Sequence, residues 1–101
     1  MKIIIGNPGS GKTKKILEYS AEHMVPVLCE STKRVQRLLD KSQGYGLKIP
    51  TPIYYKELNG DVKAVLIDDV ERLLKAVFSL EISVVTINNT DNVEIIDIDK
   101  K

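Results

Sequence analysis

Eight consecutive residues, Gly6-Asn7-Pro8-Gly9-Ser10-Gly11-Lys12-Thr13, constrain this chain more than any others. Three glycines and a proline in so short a run disfavour regular helix or strand, because glycine loses the most backbone freedom on ordering and proline removes an amide donor. What flanks them is regular. Residues 2–5 form a β-branched run closed by Gly6, which suits a central strand buried on both faces. From Lys12 onward Ile16, Leu17, Ser20, Ala21 and Met24 share one helical face, and Pro26 stops that helix. The glycine-rich run must therefore turn a strand into a helix within a few residues.

The same alternation continues. Residues 27–30 read as a second strand, Ser31 or Thr32 as a helix N-cap, and Val35, Leu38 and Leu39 as the apolar stripe of a second helix ended by Gly44. Residues 44–60, with three glycines and two prolines around Tyr45, Tyr54 and Tyr55, read as a loop with a short strand near 53–56. Residues 63–69 form a buried strand ending in Asp68 and Asp69. Val70, Leu73, Leu74, Val77 and Phe78 then give the most regular helical series in the chain. Residues 82–87 read as another strand, 89–92 as a turn, and 93–98 as a last strand carrying Glu94 and Asp97.

Strands alternating with helices predict the α/β class, in three layers, with a mainly parallel five-stranded sheet covered on both sides. The link from 87 to 93 is too short for a parallel crossover, which takes on the order of a dozen residues, so the last strand is expected to run antiparallel at a sheet edge. At 101 residues one domain spanning 1–101 is expected, with one core.

Within that frame the pattern Gly-x4-Gly-Lys-Thr, between strand and helix, resembles the Walker A loop of P-loop NTPases. The chemistry explains the residues. Backbone N–H groups converge on phosphate oxygens through conformations that side chains obstruct, and a helix N-terminus adds partial positive charge. The resemblance implies that Asn7, Pro8, Gly9, Ser10, Gly11, Lys12, Thr13 and Lys14 bind ATP or another NTP, with Lys12 against the β- and γ-phosphates and the Thr13 hydroxyl on Mg²⁺. For Lys14 and Lys15 a position in open water is the plainer alternative.

The run Ala64-Val65-Leu66-Ile67-Asp68-Asp69 resembles the Walker B element. By that likeness Asp68 takes the metal side, and Asp69 stands where many ATPases of the RecA-like, AAA and helicase type carry a glutamate that polarises water. Helix N-capping is the alternative role for either acid. Asn88, closing the strand 84–88, is placed as a third candidate catalytic residue beside Lys12 and Asp69; as a strand-end asparagine it is equally an ordinary turn residue.

The likeness covers most of the chain and implies an Mg²⁺-dependent ATPase core, helicase-like in the stretch 50–69, of the compact kind found in phage and mobile-element DNA metabolism. One such domain is expected, not the two of a processive helicase. No arginine finger is evident, since Arg34, Arg37 and Arg72 fall in helical stripes read as solvated surface, so a protein partner or a homo-oligomer is expected to complete the site. Two other readings stand beside it: a nucleotide-binding regulatory module acting through a partner, and a nucleoside or nucleotide kinase, for which no arginine-bearing lid is seen.

Fifteen basic against fourteen acidic residues give a net charge of +1, so nucleic acid is not indicated as a partner, except through a local patch from Lys33, Arg34, Arg37 and Lys41. The single Cys29 excludes an internal disulfide and, with apolar runs too short to span a bilayer, fits a cytoplasmic protein without a membrane partner. Cys29 is expected to be inert core, His23 a helix-end residue, the tyrosines the cover of a sheet edge, and the acids of the last strand a guard against edge pairing.

Overall fold

The computed structural model describes residues 1–90 and 92–99; Asp91 of the predicted turn, and Lys100 and Lys101 of the predicted domain, lie outside the described residues. The elements run β1 Lys2–Ile5, α1 Lys12–His23, β2 Val27–Cys29, α2 Thr32–Gly44, β3 Ile53–Tyr54, a single 3₁₀ turn Tyr55–Glu57, β4 Leu66–Ile67, α3 Val70–Phe78 and β5 Glu94–Asp97. Among the described residues the molecule is α/β with three α-helices, and the strand pairings are all parallel.

The core forms where the predicted apolar stripes meet. Leu17 of α1, Val27 and Cys29 of β2 and Leu38 of α2 are fully buried, with Ile16, Val35, Leu47, Ile49 and Leu66 packed around them. Each large apolar side chain buried this way contributes about 1.5–3 kcal/mol. β2 is the middle strand of a three-stranded sheet, ordered β3-β2-β4. Its register sets Leu28 opposite both Ile53 and Ile67. Cross-sheet parallel pairing of this kind brings the C-terminal ends of β2 and β4 side by side, and with them the residues that follow, Glu30 to Arg34 and Asp68.

Helix ends follow local chemistry. Ser31 is the N-cap of α2, its side chain accepting the Arg34 N–H at 3.0 Å. α1 stops at His23, with Met24 turned into the left-handed region two residues before Pro26.

Five expectations are corrected. The strands do not form one five-stranded sheet: β1 and β5 make a separate two-stranded pair. β5 is parallel to β1, with Lys2 opposite Glu94 and Ile5 opposite Asp97, not antiparallel. The predicted strand 82–87 is absent, since residues 81–90 have no regular structure, and Val84, Val85 and Ile87 are exposed. These errors are linked. β-branched composition measures fit to a pleated, half-buried surface, and among the described residues no neighbouring strand offers 82–87 a ladder. With that strand gone, the short link it implied is gone too; β5 is reached from β4 through α3 and residues 79–93, length enough for a crossover. β1 is also only partly buried rather than covered on both faces, and on α3 only Leu73 of the predicted stripe is buried, with Val70, Val77 and Phe78 exposed.

Candidate functional site

The glycine-rich run is a bend held by its own backbone. Ser10 N–H donates to the Asn7 carbonyl at 3.1 Å, and Lys15 N–H to Gly11 O at 3.1 Å opens α1. Gly11 has φ +93°, in the left-handed region where side chains are strained, and Gly9 is similar at +80°. Gly6 is required for a different reason: a Cβ there would lie 2.6 Å from Ser10 Oγ and 2.8 Å from Ile98 Cγ1. Pro8 and Gly9 are at the exposed tip.

Lys12 folds its ammonium back onto the bend, donating to Gly6 O at 2.7 Å and Asn7 O at 2.8 Å. Ser10 Oγ is buried without a hydrogen-bond partner, a polar atom in want of one. The first turn of α1 carries no acid, so nothing there offsets the partial positive charge of the helix N-terminus. An anion is present nonetheless: the Asp99 carboxylate, just beyond β5, accepts the Asn7 backbone N–H. Lys14 places its ammonium over the Tyr45 ring, 5.3 Å from its centre, outside the bend.

Across from the bend stands the end of β4. Thr13 Oγ1 donates to Asp68 Oδ2 at 2.9 Å, joining residues 55 positions apart. The same Oδ2 accepts Arg34 Nη2 at 2.6 Å, with the two side chains 9% and 8% exposed. Arg34 was expected on a solvated face and in a surface basic patch; it is instead buried on α2 and paired. A signal existed: Arg34 lies four residues before Leu38 and eight before Ser42, and all three are buried. Arg37, Lys33 and Lys41 are exposed as expected.

Asp69 takes the capping alternative, accepting the Arg72 N–H at 3.3 Å from a left-handed conformation, φ 63°. Its carboxylate also lies 3.5 Å from Arg72 Nε, with both side chains about half-exposed. Asn88 lies in the exposed irregular segment 81–90, and among the described residues no hydrogen bond joins it to the bend. The strand that was to position it does not form. Thr13 and Asp68 are thus brought together with Lys12 and Ser10 close by in the chain, whereas Asn88 is not placed with them by any contact seen.

Thr13 and Asp68 supply hard oxygen donors of the kind that suits a hydrated Mg²⁺. Their hydroxyl and carboxylate oxygens meet at 2.9 Å, and within the preceding bend the orphaned Ser10 hydroxyl lies against the position that a Cβ on Gly6 would take. Among the described residues no cluster of three or more His, Cys, Asp or Glu exists, so a metal here would need oxygens from a ligand and from water. Elsewhere, Tyr54 and Tyr55 meet edge to face at 5.2 Å beside the edge strand β3, and His23 stacks on Tyr19 at the end of α1. Among the described residues no helix is long and apolar enough to cross a membrane. No family model, curated protein or solved structure matches the chain.

Proposed function

We infer that this chain is a P-loop nucleotide-binding domain that takes up ATP or another NTP with Mg²⁺ and hydrolyses it slowly, or only with a partner. One observation carries the inference: the hydroxyl of Thr13, at the start of α1, and the carboxylate of Asp68, at the end of β4, meet at 2.9 Å although neither sequence motif requires it by itself. A P-loop arrangement accounts for that meeting, although β1 and β4 pair in separate sheets here.

In this reading the amides of residues 7–13 bind the phosphate tail, and Lys12 exchanges its two carbonyl partners for phosphate oxygens. Ser10 Oγ gains the partner it lacks. Thr13 and Asp68 would hold Mg²⁺, directly and through water; such an ion supplies charge neutralisation on the phosphates. Asp69 is the candidate for orienting the attacking water, and it must leave Arg72 to do so. A second reading, a nucleotide-controlled switch without appreciable turnover, is favoured by that same engagement of Asp69 as the cap of α3.

The test is binding of a fluorescent ATP analogue, followed by phosphate release, for wild type, Lys12→Ala and Asp69→Asn. Loss of at least about tenfold in affinity, or roughly 1.4 kcal/mol, is expected for Lys12→Ala; unchanged affinity would remove the assignment. Tight binding with no phosphate release in wild type moves the conclusion to the switch.

A further inference from the structure

Arg34 is the one buried charge at this site to which the nucleotide reading gives no task. Its Nη2 lies 2.6 Å from Asp68 Oδ2, the oxygen that also accepts the Thr13 hydroxyl. A single carboxylate oxygen therefore faces a full positive charge and a hydroxyl donor together. Arginine is a fixed cation, so this compensation holds for as long as the contact lasts. It is also needed: a carboxylate 8% exposed is costly to leave unpaired.

A second cation at the same oxygen has to work against the first. With Arg34 in contact, Asp68 offers an incoming metal little net charge, and among the described residues no group of three or more His, Cys, Asp or Glu is arranged to hold a metal ion. A polyphosphate brings the missing negative charge and gives the guanidinium another anion to face. Resting on the nucleotide reading, we propose that Arg34 is a built-in counter-ion that makes metal capture at Thr13 and Asp68 conditional on nucleotide. Without nucleotide it is a positioning residue, holding Asp68 against Thr13 and keeping free divalent cations off. With nucleotide and metal present, it releases Asp68.

The test is Mn²⁺ binding without nucleotide, read from the free-ion electron paramagnetic resonance signal, for wild type, Arg34→Gln, Arg34→Lys and the double variant Arg34→Gln with Asp68→Asn. Arg34→Gln is expected to bind Mn²⁺ at least about tenfold more tightly than wild type, because removing a unit charge at this range changes the local field strongly. Arg34→Lys keeps the charge and stays with wild type, and the double variant loses the gain. Equal Mn²⁺ affinity in wild type and Arg34→Gln overturns the proposal. Should Arg34→Gln fail to fold, as judged by circular dichroism, the decision passes to wild type: the Nε–H resonance of the buried arginine should shift on adding ATP with Mg²⁺ and stay put with Mg²⁺ alone, and no shift with both overturns it. Failure of the nucleotide reading looks different, since wild type then binds no ATP analogue at all while the Mn²⁺ comparison still reads the counter-ion directly.

Discussion

Burial pushes the Cys29 thiol up from 9.0 to about 11, and the carboxylates of Glu30 and Asp68 add to the rise while Arg34 opposes it. Because the folded value is the higher one, the effect on stability is nil below pH 9.0 and adverse above it: the unfolded thiol ionises first, and stability is lost as pH climbs toward about 11. At pH 8 the native protein should hold about a hundredfold less thiolate than the unfolded chain and react with a disulfide reagent correspondingly slowly. Rapid stoichiometric labelling of the native protein would contradict this. The same neighbourhood shows what single residues disclose in sequence. Thr13 and Asp68 were legible because each ends a recognisable pattern, and Cys29 because a thiol in an apolar strand is ordinary core. Arg34 was not, since a charged residue on a helix is normally solvated, and only its alignment with Leu38 and Ser42 marks the buried face.

Among the elements, legibility follows how local the determining forces are. The three helices stand where apolar spacing and end signals put them, and Ser31 caps α2 through a contact three residues away. Strands depend on neighbours that sequence does not name. β2 survives as a short central strand and β4 as a two-residue edge strand paired to it, while 82–87, equally β-branched, finds no partner among the described residues and is largely exposed. The antiparallel expectation for β5 failed with it, being a deduction from a strand that is not there. α2 deserves a test of its own, because its first turn carries Arg34 to Asp68. Ser31→Ala removes the acceptor for the Arg34 N–H and should cost about 1 kcal/mol, read as a lower urea midpoint with unchanged slope. Thr32→Ala, one residue into the helix and exposed, should be close to neutral. Equal losses for the two would mean that the cap is not what fixes the turn.

At the scale of the whole molecule, the separate β1–β5 pair gives the acids of the last strand a place that edge protection alone does not explain. Ile98 N–H donates to Ile5 O at 3.1 Å, which carries the chain from β5 past the end of β1 and onto the glycine-rich bend. There Ile98 packs against Gly6 and Asp99 accepts the Asn7 N–H. A phosphate and this carboxylate are both anions drawn to amides at one helix N-terminus, and the two repel each other even where they do not share a donor. Neutralising Asp99 should therefore raise nucleotide affinity. Interactions of a charge with a helix end are worth about 0.3–1 kcal/mol when exposed, so Asp99→Asn is expected to tighten binding of the ATP analogue by about twofold to fivefold at low salt. The gain should shrink in 0.5 M salt, because at about 1 M the screening length falls to roughly 3 Å. Glu94→Gln removes an equal charge at the other end of β5, opposite Lys2 and away from the bend, and should leave affinity unchanged. If both variants tighten binding alike, only net charge matters and Asp99 has no special position; if Asp99→Asn weakens binding, its carboxylate supports the bend and does not compete for it.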